Sequence, residues 1–228
     1  WAGPAIFGAL TAPGVLDAAE SIVGPEVYSN PVQHVRIKVP ESVSPRDENG
    51  NVMFGATPWH QDAGVVNPEA DETNILTVWF PLMDTSVENG CLAVVPGSHR
   101  GELLTHCPGY RDRPGLQIPE NLFNIGNSMP VAVKKGGALL LTKKTVHSSL
   151  PNVSDRIRWS FDLRYQPTGQ ATGRSVFPGF VARSAADPES ELHDANTWYE
   201  MWRDTRDSLV IGEQPSFNRW DNDDPTCA

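Results

Sequence analysis

Between residues 31 and 167 the chain breaks into short apolar runs: "PVQHVRIKVP", "NILTVWFPLMDT", "GCLAVVPGS", "MPVAVKKGGALLLT", "TVHSS" and "RIRWSFDLRYQP". They are rich in Val, Leu, Trp and Phe, which suit a pleated, half-buried surface, and Gly, Pro, Asn and Asp separate them. No helical period of roughly 10–15 residues lies between consecutive runs, so the strands must return to their neighbours without crossover helices. This pattern predicts a mainly β, antiparallel sandwich or barrel.

The first run alternates, with Val32, His34, Arg36 and Lys38 on one side and Gln33, Val35, Ile37 and Val39 on the other. Helical texture is confined to the two ends. "TAPGVLDAAESIVGP" has a Pro near its start, apolar residues at helical spacing and a Gly-Pro stop. "PESELHDANTWYEMWRDTRDSLV" carries an apolar stripe of Trp198, Met201 and Trp202, and is expected to lie on the outside of the sheets. The stretch from His106 to Pro130 reads as irregular, outside the core, and of a length typical of a lid or binding loop. A chain of 228 residues is expected to form one domain over 1–228, with a lid-like loop at 106–130 and a helical and loop extension at 184–228.

Charge and composition narrow the partners. A net charge of −10 argues against nucleic acid, because phosphate binding needs clustered Lys and Arg. No apolar run approaches the ~18 residues of a spanning helix, so no membrane partner is expected. Cys91, Cys107 and Cys227 show no CxxC spacing and cannot all pair, which fits a reducing compartment and a cytoplasmic location. The chain opens on Trp rather than Met, so residues upstream and any targeting signal are not legible, and neither is the oligomeric state.

The stretch that points to chemistry is "TPWHQDAG". On a strand, His60 and Asp62 point the same way. Two His and one carboxylate leave three adjacent coordination positions open, the arrangement of non-heme Fe(II) oxygenases. His-x-Asp alone is common by chance, so the third ligand matters. Of the six histidines, His193 reads as solvated in a polar helix, His99 sits in a turn, and His106 borders the irregular stretch. His147 ends an apolar strand and is the best placed. Arg158 returns on the next strand, opposite an apolar face of Trp159, Phe161, Leu163 and Tyr165. There it can grip a carboxylate through two parallel charge-assisted hydrogen bonds, or serve as an ordinary salt-bridged sheet residue.

Three blocks, "PWHQDAG", "LTVWFPLMDTSVENGCLAVVPGSHRG" and "KKGGALLLTKKTVHSSLPNVSDRIRWSFDLRY", occur in the order seen in a known family. From about Gly24 to Arg164 the chain resembles the phytanoyl-CoA dioxygenase (PhyH) family of Fe(II)- and 2-oxoglutarate-dependent oxygenases. The resemblance implies a double-stranded β-helix (a jelly roll, cupin-like) with helices flanking the major sheet. It makes His60, Asp62 and His147 the iron ligands and assigns Arg158 to the distal carboxylate of 2-oxoglutarate, with Ser149 as a hydroxyl partner. Lys38, Thr77, Gln61 and Trp79 would line the same site, although strand alternation puts Gln61 on the opposite face. The implied cofactors are Fe(II), 2-oxoglutarate and O2. The implied reaction is hydroxylation of an aliphatic C–H in a small organic molecule, with release of succinate and CO2.

Desaturation, cyclisation or epimerisation would use the same site. A non-catalytic jelly-roll binding protein or a zinc hydrolase accounts less well for the full His-Asp-His-Arg set. Asp62 argues against halogenation, since related halogenases carry a small residue there. The chain departs from the family pattern at Lys143 and Lys144, which are expected to face solvent. Arg100, Arg111 and Arg113 near the 106–130 loop are expected to be solvated, the alternative being contact with an anionic substrate.

Overall fold

Pro13 at the first turn and Gly24, with φ +93°, just past the last turn set the limits of one helix, because proline has no amide to lose there and glycine accepts the left-handed exit. The computed structural model describes residues 2–53, 55–109, 115–212, 215–221 and 223–227. In chain order the elements are α1 (Pro4–Leu10), α2 (Pro13–Val23), β1 (Glu26–Ser29), β2 (His34–Lys38), β3 (Thr57–His60), β4 (Leu76–Pro81), β5 (Leu92–Val94), β6 (Cys107–Pro108), β7 (Leu116–Gln117), β8 (Met129–Val131), β9 (Leu139–Thr142), β10 (His147–Ser149), β11 (Arg158–Pro167), β12 (Phe180–Ser184) and α3 (Ala195–Ile211). Each apolar run named above contains a strand, and "MPVAVKKGGALLLT" contains two, split at Gly136, a turn residue with φ +89°. One sheet is ordered β12-β1-β11-β4-β9, with β2 also on β11; a second is β3-β10-β5-β8; β6 and β7 form a small hairpin. Among the described residues no sheet closes into a barrel, and no single helix is long and apolar enough to cross a membrane.

Two compact units emerge. The first comprises Trp1–His34, Val66–Val78 and Asp162–Asn218. In it β1 pairs antiparallel with β12 and with the far end of β11, Val27 opposite Pro167 and Ser29 opposite Tyr165. The helices flank this sheet: α2 packs on β1, and α1 packs on α3. Phe7, Phe180, Trp198 and Trp202 form a chain of ring contacts with centroids 5.0–5.7 Å apart. Asp194 caps α3 by accepting from the amides of Asn196 and Thr197. His193 therefore lies before the helix rather than in it, and is exposed as expected.

The second unit comprises Val35–Val65, Trp79–Phe161 and Arg219–Ala228. Its four-stranded sheet is antiparallel throughout, with His147 opposite both His60 and Val94, and Ala93 opposite Pro130. One apolar cluster joins Trp79, Leu92 and Leu141; another joins Val95, Ile118 and Val146, with Trp59, Leu104, Leu122 and Phe123 packed on it. The second cluster corrects the view of 106–130 as lying outside the core. The stretch folds back as the β6–β7 hairpin, and the amide of Ile118 donates to the Trp59 carbonyl at 2.8 Å. Ile118, Leu122 and Phe123 follow neither a strand nor a helix period, so no pattern announced their burial. Arg100 is exposed; Arg111 and Arg113 fall outside the described residues.

A second correction concerns the cysteines. Cys107 and Cys227 form a disulfide across 120 residues of sequence, leaving Cys91 as a buried free thiol. The reading of the cysteines as reduced, and the compartment drawn from it, loses its basis. Spacing alone gives no sign of so distant a pair.

Candidate metal centre

The antiparallel pairing of β3 with β10 sets His60 directly opposite His147, and the two rings lie 4.2 Å apart. Strand alternation does not bring in Asp62. The strand ends at His60, and Asp62 opens a 3-10 turn, Asp62–Val65, so the turn rather than the pleat swings its carboxylate round. His60 Nε2 is 3.9 Å from Asp62 Oδ1. One ligand atom from each of His60, Asp62 and His147 lies within 4.8 Å of the others, and all three residues are buried.

The hydrogen bonds select the tautomer. His60 Nδ1 is 2.8 Å from the Pro58 carbonyl and His147 Nδ1 is 2.9 Å from the Thr145 carbonyl. A carbonyl only accepts, so each Nδ1 carries the proton and each Nε2 presents a lone pair. Burial, then the neighbouring His147, holds His60 well below its ordinary pKa, which keeps the imidazole neutral. Two imidazoles with their second nitrogens fixed by backbone carbonyls, and a buried carboxylate, fit a divalent transition metal. A carboxylate this deeply buried is costly without a cation beside it.

Two buried basic side chains lie in the same unit. Arg158, fully buried at the start of β11, donates to Ser160 Oγ at 2.6 Å and to the Gly90 carbonyl at 3.0 Å, with its guanidinium 5.7 Å from the centre of the Trp79 ring. Gly90 has φ +80°, and a Cβ there would sit 2.5 Å from the Leu150 carbonyl oxygen and 2.8 Å from Lys38 Cδ. Only glycine fits. Lys38 Nζ donates to Ser149 Oγ at 2.6 Å and to the Leu150 carbonyl at 2.5 Å. Burial, and after it the Arg158 guanidinium, lowers the Lys38 pKa to about 7. Ser149 Oγ also accepts from the Thr57 amide, so its recorded partners are Lys38 and Thr57, and the hydroxyl on Arg158 belongs to Ser160. Ser160 follows Arg158 by two on the same strand face, and alternation could have found it. Trp79 is buried in the apolar cluster with Leu92 and Leu141. Thr77 is buried on β4 within the first unit.

Gln61 serves the turn. Its side-chain oxygen accepts from the Leu104 amide, and its nitrogen donates to the carbonyls of Lys144 and Glu102. Lys143 and Lys144 are half-buried rather than fully solvated: their carbonyls hold Ala63 and Gln61, and Lys144 Nζ lies 3.5 Å from Glu102. His106, read from sequence only as bordering a loop, is completely buried. Its Nε2 accepts from the Gln61 amide at 2.9 Å, its Nδ1 bonds the Leu104 carbonyl at 2.8 Å, and burial lowers its pKa to about 4.

Known proteins resemble this chain in sequence and in fold. The profile of the family described as Phytanoyl-CoA dioxygenase (PhyH) matches residues 3–160. Phytanoyl-CoA dioxygenase domain-containing protein 1 of Bos taurus is 32% identical over 131 residues, which cover 48% of this chain and 43% of that protein. The 1-deoxypentalenic acid 11-beta-hydroxylase of Streptomyces arenae is 32% identical over 125 residues, covering 51% of this chain and 43% of the hydroxylase. The match thus spans less than half the length of either relative. Among solved structures, the non-heme alpha ketoglutarate dependent epimerase SnoN from nogalamycin biosynthesis superposes with a TM-score of 0.53 at 25% identity, over 74% of this chain and 59% of SnoN.

Proposed function

The chain belongs to the phytanoyl-CoA dioxygenase (PhyH) family, and on that premise we propose that it is an Fe(II)- and 2-oxoglutarate-dependent dioxygenase hydroxylating an aliphatic C–H of a small organic molecule, with release of succinate and CO2. The observation that carries this reading is one compact unit holding both a buried His60–Asp62–His147 donor set and the buried cations Arg158 and Lys38. When bound, the iron and co-substrate supply the activation of O2 that the side chains cannot.

The side chains have distinct roles. His60 and His147 offer Nε2, with their rings locked by Pro58 and Thr145, and Asp62 offers its carboxylate. Arg158 meets the distal carboxylate of 2-oxoglutarate with its planar fork, held in place by Ser160 and Gly90. Lys38, its Nζ held by Ser149 and the Leu150 carbonyl, adds a second buried basic group beside Arg158. A zinc hydrolase would have no task for the two cations. Epimerisation is the second reading, supported by the likeness to SnoN, because it would need the same metal and co-substrate residues.

Purified protein supplied with Fe(II), ascorbate and 2-oxoglutarate is expected to form succinate when a panel of small aliphatic substrates is screened, with a product heavier by one oxygen. Succinate with an isomerised product would select epimerisation. No succinate with any substrate, and none by slow uncoupled turnover, would end the oxygenase reading.

A further inference from the structure

The turn carrying Asp62 is held from two sides. On one side Gln61 and Ala63 bond to the 143–144 and 102–104 backbone, as described above. On the other lies a segment from Arg219 to Cys227, beyond the 3–160 stretch matched by the family profile but in the same compact unit as the metal centre. Trp220 stacks on His106 with centroids 5.1 Å apart and planes at 23°, and its indole N–H donates to the Gly64 carbonyl at 2.7 Å. Arg219 reaches the Ala63 carbonyl at 3.4 Å. Cys227, seven residues on, is bonded to Cys107, the residue after His106.

His106 is thereby clamped between the Gly64 backbone and the Trp220 ring. A Cβ built on Gly64 would lie 2.2 Å from His106 Cε1, which measures how closely the imidazole approaches the turn. From there its Nε2 accepts the amide of Gln61, the residue before the ligand. The carbonyl of Gly64, two residues after the ligand, is held by Trp220. On this side the backbone before and after Asp62 is held by one stacked pair, and the disulfide anchors the segment that supplies half of it.

We propose that Arg219, Trp220 and Cys227 form a strap that positions the Asp62 ligand through the His106–Trp220 stack, with the Cys107–Cys227 bond fastening it, so that the strap sets the affinity of the metal centre. His106 and Trp220 are positioning residues, since neither is a ligand. The inference rests on the metal-centre reading above and extends it to a part of the chain outside the family match. Partners that orient a metal ligand are typically worth about 10–100-fold in metal affinity.

The test uses the full chain and Co(II), whose visible absorption reports both affinity and ligand geometry. The wild type is expected to bind one Co(II). Trp220→Ala and Cys227→Ser should weaken binding by about tenfold or more and change the intensity of the cobalt band; Trp220→Phe, which keeps the stack and loses the N–H, should weaken it less. Prior reduction with dithiothreitol, which donates two electrons and two protons to split the disulfide into two thiols while closing to its own cyclic disulfide, followed by its anaerobic removal before Co(II) is added, should weaken the wild type as Cys227→Ser does and leave that variant unchanged. Trp198→Leu, a core change in the first unit, should lower the Tm without moving cobalt affinity.

Folded Trp220→Ala and Cys227→Ser chains that bind Co(II) within twofold of wild type, with an unchanged band, would overturn the strap and leave the metal centre standing. If Trp220→Ala does not fold, the same criterion applies to Trp220→Phe and Cys227→Ser. A wild type that binds no Co(II) would remove both readings together.

Discussion

Replacing Lys38 with Met probes the buried Lys38–Arg158 pair through its pH dependence. The ammonium is buried close to the Arg158 guanidinium, and its pKa falls from 10.5 to about 7. In the unfolded chain the lysine titrates at its ordinary value, so between these two pH values the unfolded state binds more protons and stability rises with pH. The folded pKa is the depressed one: the cost of burying the charge is absent above pH 10.5 and complete below pH 7. At 1.36 kcal/mol per pH unit, the full cost is on the order of 5 kcal/mol, of which roughly 3–4 is regained between pH 7 and pH 10. Met fills much of the volume and removes the charge, while the loss of the Nζ bonds to Ser149 and Leu150 takes back about 1–3 kcal/mol. The slope is therefore a cleaner readout than the absolute stability. Urea unfolding of metal-free protein at pH 7, 8, 9 and 10 should give a wild-type profile that climbs more steeply than that of Lys38→Met, by roughly 3–4 kcal/mol over the range. Parallel profiles would refute the placement of a buried, strongly depressed lysine beside Arg158.

Two further outcomes follow from named contacts. Arg158→Gln leaves the metal ligands untouched and removes the carboxylate fork, so the Kd for 2-oxoglutarate should rise at least about 30-fold, the cost of a buried charged partner, while Co(II) affinity stays within twofold; calorimetry reads both. Gly64→Ala forces a Cβ into His106, at 2.2 Å before any relaxation, and should cost about 1–3 kcal/mol in urea unfolding and weaken metal binding.

The parts of the molecule that follow a period were legible in the sequence. The strand runs and the α2 stop at Gly24 announce themselves through alternation or turn chemistry, whereas the apolar run expected to end at His147 stops at Thr142 and His147 opens the separate strand β10. Asp62 does lie beside His60, but a 3-10 turn and not the strand pleat brings it round. Arg158 reads as inward-pointing, and it is buried; Ser160, two residues on along the same strand, accepts from it, a contact that the reading of Ser149 toward the co-substrate carboxylate did not include. His106 was out of reach because its burial depends on Trp220, 114 positions away, and Ile118 because its neighbours come from three separate stretches. The Cys107–Cys227 bond belongs with these: contacts made by aperiodic segments leave no local trace. The family resemblance proposes a ligand set whose three residues cluster in the structure, and it is silent on the 219–227 segment.

The most direct measurement is anaerobic calorimetry of 2-oxoglutarate binding to the chain loaded with Fe(II), to the metal-free chain, and to Asp62→Ala. The expected result is stoichiometric binding that requires the metal and is lost or greatly weakened in Asp62→Ala. Binding of equal strength with and without metal, or no binding to the metal-loaded wild type, would contradict the assignment of His60, Asp62, His147 and Arg158 to one Fe(II)/2-oxoglutarate centre.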